Sequence, residues 1–139
     1  MVTTSRQRKD PFGLVVSGEA GTWLPALEQI VGSKLLVAYK VNGDNELLEV
    51  IHAGVADAVV LDDAADWSLD VLELLRVIRR LDAMLPVVIV TEHRERHWLE
   101  DALRLAVFSV VARPLALEDL LRQIQRMMER IDSALREGR

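Results

Sequence analysis

The 139-residue chain has no cysteine. Disulfides, thiolate metal sites and cysteine nucleophiles are therefore excluded. Long hydrophobic runs are missing too: none approaches the roughly 20 residues needed to span a membrane. The polar start, with Arg6, Arg8 and Lys9, leads into no apolar stretch of signal-peptide type. A cytoplasmic location without membrane contact is the expectation. Positive charge is in deficit: 17 Lys and Arg stand against 22 Asp and Glu, a net charge of −5. That argues against direct nucleic-acid contact by the domain. Internal repeats and low-complexity tracts are absent. What is present is half apolar and 28% charged, the composition of a globular protein at the length of one domain with one core.

The apolar residues fall into short runs separated by helical patterns. Strands are predicted at 13–17, 34–41, 58–61, 87–90 and 108–111. The runs are continuous rather than alternating, as in strands buried on both faces. Helices are predicted at 23–31, with Thr22 as N-cap and Pro25 in the first turn, and at 46–52, closed by Gly54. Three more follow: 69–81 capped by Ser68, 96–105, and 117–136. Residues 1–12 are set aside as a disordered leader, 13–128 form the folded domain, and 129–139 extend the last helix. Five βα units in series indicate an α/β fold with a doubly wound parallel sheet and helices on both faces. Right-handed crossovers favour the flavodoxin-like order 2-1-3-4-5.

Three of these strands end in polar residues. DAVVLD ends at Asp62, PVVIVT at Thr91, and VFSVVA runs into Arg113-Pro114. Residues just past the carboxyl ends of neighbouring parallel strands share one crevice. An acid, a hydroxyl and a cation placed there form the skeleton of a phosphoryl-accepting aspartate site.

With those segments in place, the chain resembles the receiver domain of two-component response regulators from about Gly13 to Met128. The resemblance implies the phosphoacceptor position at Asp62 and the switch hydroxyl at Thr91. It puts Arg113 where the family has Lys, before a Pro in a cis peptide, and assigns no enzymatic activity. The departures fall at the chemistry. The family's first strand ends in acidic residues that hold Mg²⁺, whereas this chain has Ser17-Gly18-Glu19. Ser17 and Gly18 offer no carboxylate to a hard cation. Arg113 keeps the charge, but a planar fork does not replace an ammonium. Val110 stands at the family's aromatic switch position. The pattern is that of a degenerate receiver, or pseudo-receiver, with no resident metal or other cofactor.

Other candidates have simpler readings. Asp63, Asp66 and Asp70 could replace the lost cation ligands, but loop acids before a helix more often serve as caps. Gly18 to Gly21 reads as a tight turn rather than a phosphate loop. His93 and His97 have metal-like spacing without an evident third ligand, and read as a solvated face. Trp67 and Trp98 flank the site. Along the last helix, Leu117, Leu121, Ile124, Met128, Ile131 and Leu135 form a stripe that narrows beyond Met128 to a seam like that of a coiled coil. The stripe points to a homodimer. The expected function is a phosphorylation-independent interaction and dimerisation module in signalling or transcription regulation, coupled to an output domain or partner protein. Two alternatives stay open. One is a working receiver, phosphorylated at Asp62 by a histidine kinase with Mg²⁺ as cofactor. The other is a small-ligand-binding flavodoxin-like protein.

Overall fold

The five apolar runs become β1 (Phe12–Val16), β2 (Leu36–Lys40), β3 (Ala58–Asp62), β4 (Val87–Thr91) and β5 (Ser109–Ala112) in a computed structural model. Between and after them lie α1 (Leu24–Val31), α2 (Asp44–His52), α3 (Val71–Leu81), α4 (Arg96–Arg104) and α5 (Leu117–Glu137). The structure describes residues 11–17, 20, 23–32, 34–113 and 116–137, with side chains through Ile131. The expected leader up to residue 10, the Thr22 cap, Gly18, Glu19, the Arg113–Pro114 peptide and the Leu135 side chain lie outside the described residues. No helix among the described residues is long and apolar enough to cross a membrane.

All strand pairs are parallel, in the order β2-β1-β3-β4-β5, as the sequence implies. Alternating residues of the continuous runs feed two cores. Val15, Val59, Leu61, Val87 and Ile89 meet side chains of α2, α3 and α4. Leu14, Val16, Val60, Val88 and Val90 meet Trp23, Leu24 and Leu27 near α1, and Leu120, Ile124 and Met127 of α5. Both faces are thus covered, which is why these strands carry no polar alternation. One glycine is fixed by close approach. A Cβ on Gly13 would lie 2.1 Å from the carbonyl oxygen of Val55.

Several boundaries differ from the sequence reading, each for a local reason. β1 begins one residue earlier, because the Phe12 amide donates to Leu35 O at 2.8 Å and the side chain is buried. Ser68 does not cap α3. The Ser68 and Leu69 amides both donate to the Asp44 carboxylate at 3.0 Å, which holds them off the helix axis. The helix starts two residues later under an Asp70 cap, whose carboxylate accepts from the Leu72 amide at 3.1 Å. α4 ends in a motif that normally carries glycine. Val107 N–H bonds Ala102 O at 3.2 Å and Ala106 N–H bonds Leu103 O at 2.9 Å, a Schellman closure with Ala106 at φ 58°. Ile124, assigned above to a dimer face, is fully buried against the sheet and is not available to a second copy. In the same stripe, Leu121, Met128 and Ile131 lie at the flank of that core, partly buried, and Leu117 is exposed.

Candidate functional site

The site is built by the sheet register. Asp62 pairs with Val90 across β3 and β4, and Thr91 with Ala112 across β4 and β5. The ladder continues one step past the strand ends. Asp63 N–H reaches Val90 O at 3.0 Å, and Arg113 N–H reaches Thr91 O at 2.9 Å. Arg113 is thereby delivered to the crevice beyond β5.

Its guanidinium lies between the two acids of the β3 end. Nη2 donates to Asp62 Oδ1, and Nη1 stands 3.2 Å from Asp63 Oδ1 and 3.7 Å from Glu92 Oε2. Side-chain exposure is 22% for Arg113, 15% for Asp62 and 17% for Asp63, so the cluster is partly withdrawn from water. The expected Asp62–Arg113 meeting is therefore present. Asp62 is held from two more directions: Oδ1 accepts the Ala64 amide at 2.9 Å, and its carbonyl accepts the Trp67 indole N–H at 2.9 Å.

Thr91 is where the geometry departs from the expected trio. Its fully buried side chain donates its hydroxyl to Asp63 Oδ2, and the hydroxyl oxygen accepts from the His93 amide at 2.9 Å. In the sequence Asp63 stands among loop acids that could replace the lost cation ligands or serve as caps, with no sign of this bond. The signal that could have found it is the register: if Asp62 stands opposite Val90, the residue level with Thr91 is Asp63.

Ser17, at the end of β1, is buried and turned into the seam between strands. Its hydroxyl accepts the Asp62 amide at 3.3 Å and donates to Val60 O at 3.4 Å. Across the site, the His93 ring stacks on Trp98, with centroids 4.9 Å apart and planes 9° from parallel. His93 Nδ1 pairs with Glu95 Oε1 at 2.8 Å. That hydrogen bond raises the His93 pKa above its ordinary value, partly offset by desolvation, and holds Glu95 below its own. His97 pairs instead with Asp101 at 3.4 Å, so the two histidines do not converge. Among the described residues no group of three or more His, Asp or Glu side chains is placed to hold a metal ion. A second hollow of about 330 Å³ opens beside the site, where Ser17, Lys40, Asn42, Asp66 and Trp67 contribute to the wall.

No protein-family model and no curated protein matches the sequence. Solved structures do resemble the fold. A receiver domain protein from Methanospirillum hungatei superposes with a TM-score of 0.71 at 18% identity, covering 92% of this chain and 99% of that one. The signal receiver domain of an HD domain-containing protein from Pseudomonas fluorescens gives 0.73 at 13% identity, over 97% and 98%. The receiver domain of NtrX from Brucella abortus gives 0.67 at 20% identity, over 84% and 98%. The chain has the fold of response-regulator receiver domains, of the kind used in two-component signalling.

Proposed function

We propose that this protein is a degenerate receiver, a cytoplasmic signalling module that works by protein–protein contact and dimerisation without phosphorylation. The observation that carries the reading is the Arg113 guanidinium, which contacts the carboxylates of both Asp62 and Asp63. Phosphoryl transfer to an aspartate needs that carboxylate free to attack and a positioned divalent cation to neutralise the transferring group. Mg²⁺ requires near-octahedral hard oxygens. Asp62 and Asp63 already answer to Arg113 and Thr91, and the Ser17 hydroxyl is spent on the β1–β3 seam. The described carboxylates and hydroxyl are thus already engaged and do not fit the ion. The partners consistent with this reading are a second copy of the chain and an output domain or partner protein of a regulator.

Acetyl phosphate with Mg²⁺, followed by intact mass, tests the reading. No phosphoryl increment is expected on the unmodified chain, and isothermal titration should find no sub-millimolar Mg²⁺ binding that Asp62→Asn abolishes. A phosphoryl increment that Asp62→Asn removes would establish the working receiver instead. The hollow beside Trp67 supports a second reading, as a small-ligand site. A ligand retained through purification and released on denaturation would favour it.

A further inference from the structure

We infer that Asp63 is a resident anion: its carboxylate does internally what a transferred phosphoryl group would do at such a site. It gathers the Thr91 hydroxyl and the Arg113 cation and fixes the segment after β4 in one conformation. This rests on the degenerate-receiver reading and deepens it, because it names what replaces the modification.

Three observations converge on Asp63. One carboxylate oxygen accepts the Thr91 hydroxyl, and the other faces Arg113 Nη1 at 3.2 Å. The Asp63 amide is bonded to Val90 O at 3.0 Å, so the side chain sits on an ordered extension of the ladder rather than a free loop. The hydroxyl it engages belongs to a side chain with no solvent exposure while Asp63 is in place, so in the intact protein the acid rather than water is its partner.

The consequence passes along the chain in two steps. With its proton committed to Asp63, the Thr91 oxygen offers a lone pair to the His93 amide, and that bond is 2.9 Å long. His93 then lies flat on Trp98, whose side chain is buried with the α2–α4 core, and Arg94 donates to the Arg113 carbonyl at 3.1 Å. The turn from β4 to α4 is thus tied at the Thr91 hydroxyl, at the His93–Trp98 stack and at Arg113. The first and last of these run through the partners of Asp63. Arg113 alone could not do this, since a guanidinium has no acceptor for the Thr91 hydroxyl. Asp62 turns its carboxylate to Arg113 and the Ala64 amide instead. Asp63 is therefore a positioning residue acting through Thr91.

The test reads hydrogen exchange at the His93 amide in the full chain, by NMR. Asp63→Ala is expected to speed that exchange about tenfold, the scale of one lost hydrogen bond. Amides in the centre of β1 and β3 should change little. Sodium formate, a carboxylate small enough for the vacated space, should then slow the exchange again in a saturable way. Sodium chloride at equal ionic strength should not, and neither salt should affect the unmodified chain. Unchanged exchange in Asp63→Ala, or a loss that formate does not restore, would overturn the inference. Should Asp63→Ala fail to fold, the unmodified protein decides. A slowly exchanging Thr91 hydroxyl proton with a nuclear Overhauser contact to the His93 amide is expected, and its absence overturns the inference. Acetyl-phosphate labelling is scored separately on the unmodified chain. A labelled Asp62 defeats the phosphorylation-independent reading, whereas failed formate rescue with no labelling defeats only the role of Asp63.

Discussion

Single residues carry most of what is distinctive here. Gly13 is the plainest case, since its position leaves no room for a methyl group: Val55 O would stand 2.1 Å from it, and a backbone carbonyl cannot swing away as a side-chain tip can. The Gly13 amide also donates to Asp57 Oδ2 at 2.7 Å, tying the strand to the approach of β3. Gly13→Ala should cost about 1–3 kcal/mol in urea unfolding, as overpacking does. A change within 0.5 kcal/mol, the range of an ordinary surface substitution, would show that the strand can shift. His93 gives a pH prediction. The Glu95 hydrogen bond is the main cause of its raised pKa, with smaller contributions from the charges of Glu95, Asp63 and Asp70. A raised histidine stabilises the fold below its unfolded pKa and loses that effect as pH climbs through the folded value. A lowered glutamate stabilises above its unfolded pKa and loses the effect as pH falls. The pair is therefore strongest in weakly acidic solution, between about 4.5 and 6.5. Both groups are exposed, so the effect belongs in a ring titration by NMR rather than in global stability. The His93 midpoint should lie above the ordinary histidine value, and Glu95→Gln should bring it down.

Elements show where sequence reading succeeds and where it stops. β1, β3 and β4 were legible because a continuous apolar run of about five residues bounded by turn and helix signals fits a strand covered on both faces. β2 and β5, at the sheet edges, are only partly buried. The Asp62–Arg113 meeting was legible because strand order places both at one sheet end. The Thr91–Asp63 bond was not, because it depends on β3 and β4 being offset so that Asp62 faces Val90. A shift of one residue in a parallel ladder is invisible in composition and periodicity. The start of α3 failed for a related reason. Ser68 and Asp70 are both good caps by type, and the choice between them is made by Asp44, more than 20 residues away, which takes the Ser68 and Leu69 amides. Asp70→Ala should therefore cost about 1 kcal/mol, the usual value of an N-cap. Ser68→Ala should fall within about 0.5 kcal/mol, as for a surface site. Equal losses from the two, measured by denaturant midpoints, would mean that Ser68 caps the helix after all.

At the scale of the whole molecule, the sheet has two edges and they are finished differently. β2 closes one side, near the exposed Ile30 and Leu35. β5 closes the other, with Ser109 and Val110 only partly covered, Arg130 lying 5.7 Å over the Phe108 ring, and Leu103 and Leu117 exposed on the flanking helices. α5 is the longest element, 21 residues, or about 31 Å at 1.5 Å per residue. Five-residue strands reach only about 17 Å. Leu120, Ile124 and Met127 are spent on the protomer's own core, so the first turns need no partner. In the following turns Met128 and Ile131 still pack on the flank of that core. Helix formation alone is marginal in water at such lengths, so the last turns gain from a further packed face. The β5 edge with the distal part of α5 is accordingly the surface expected to meet a second copy. Unmodified protein at tens of micromolar should sediment as a dimer with no phosphodonor present. Replacing Ile131 and Leu135 together with Glu should yield monomers whose circular dichroism is unchanged, while Ile30→Glu with Leu35→Glu at the opposite edge should leave the dimer intact. Monomeric unmodified protein would remove dimerisation from the proposed function, and dissociation by the β2-edge pair alone would move the interface to the other side of the sheet.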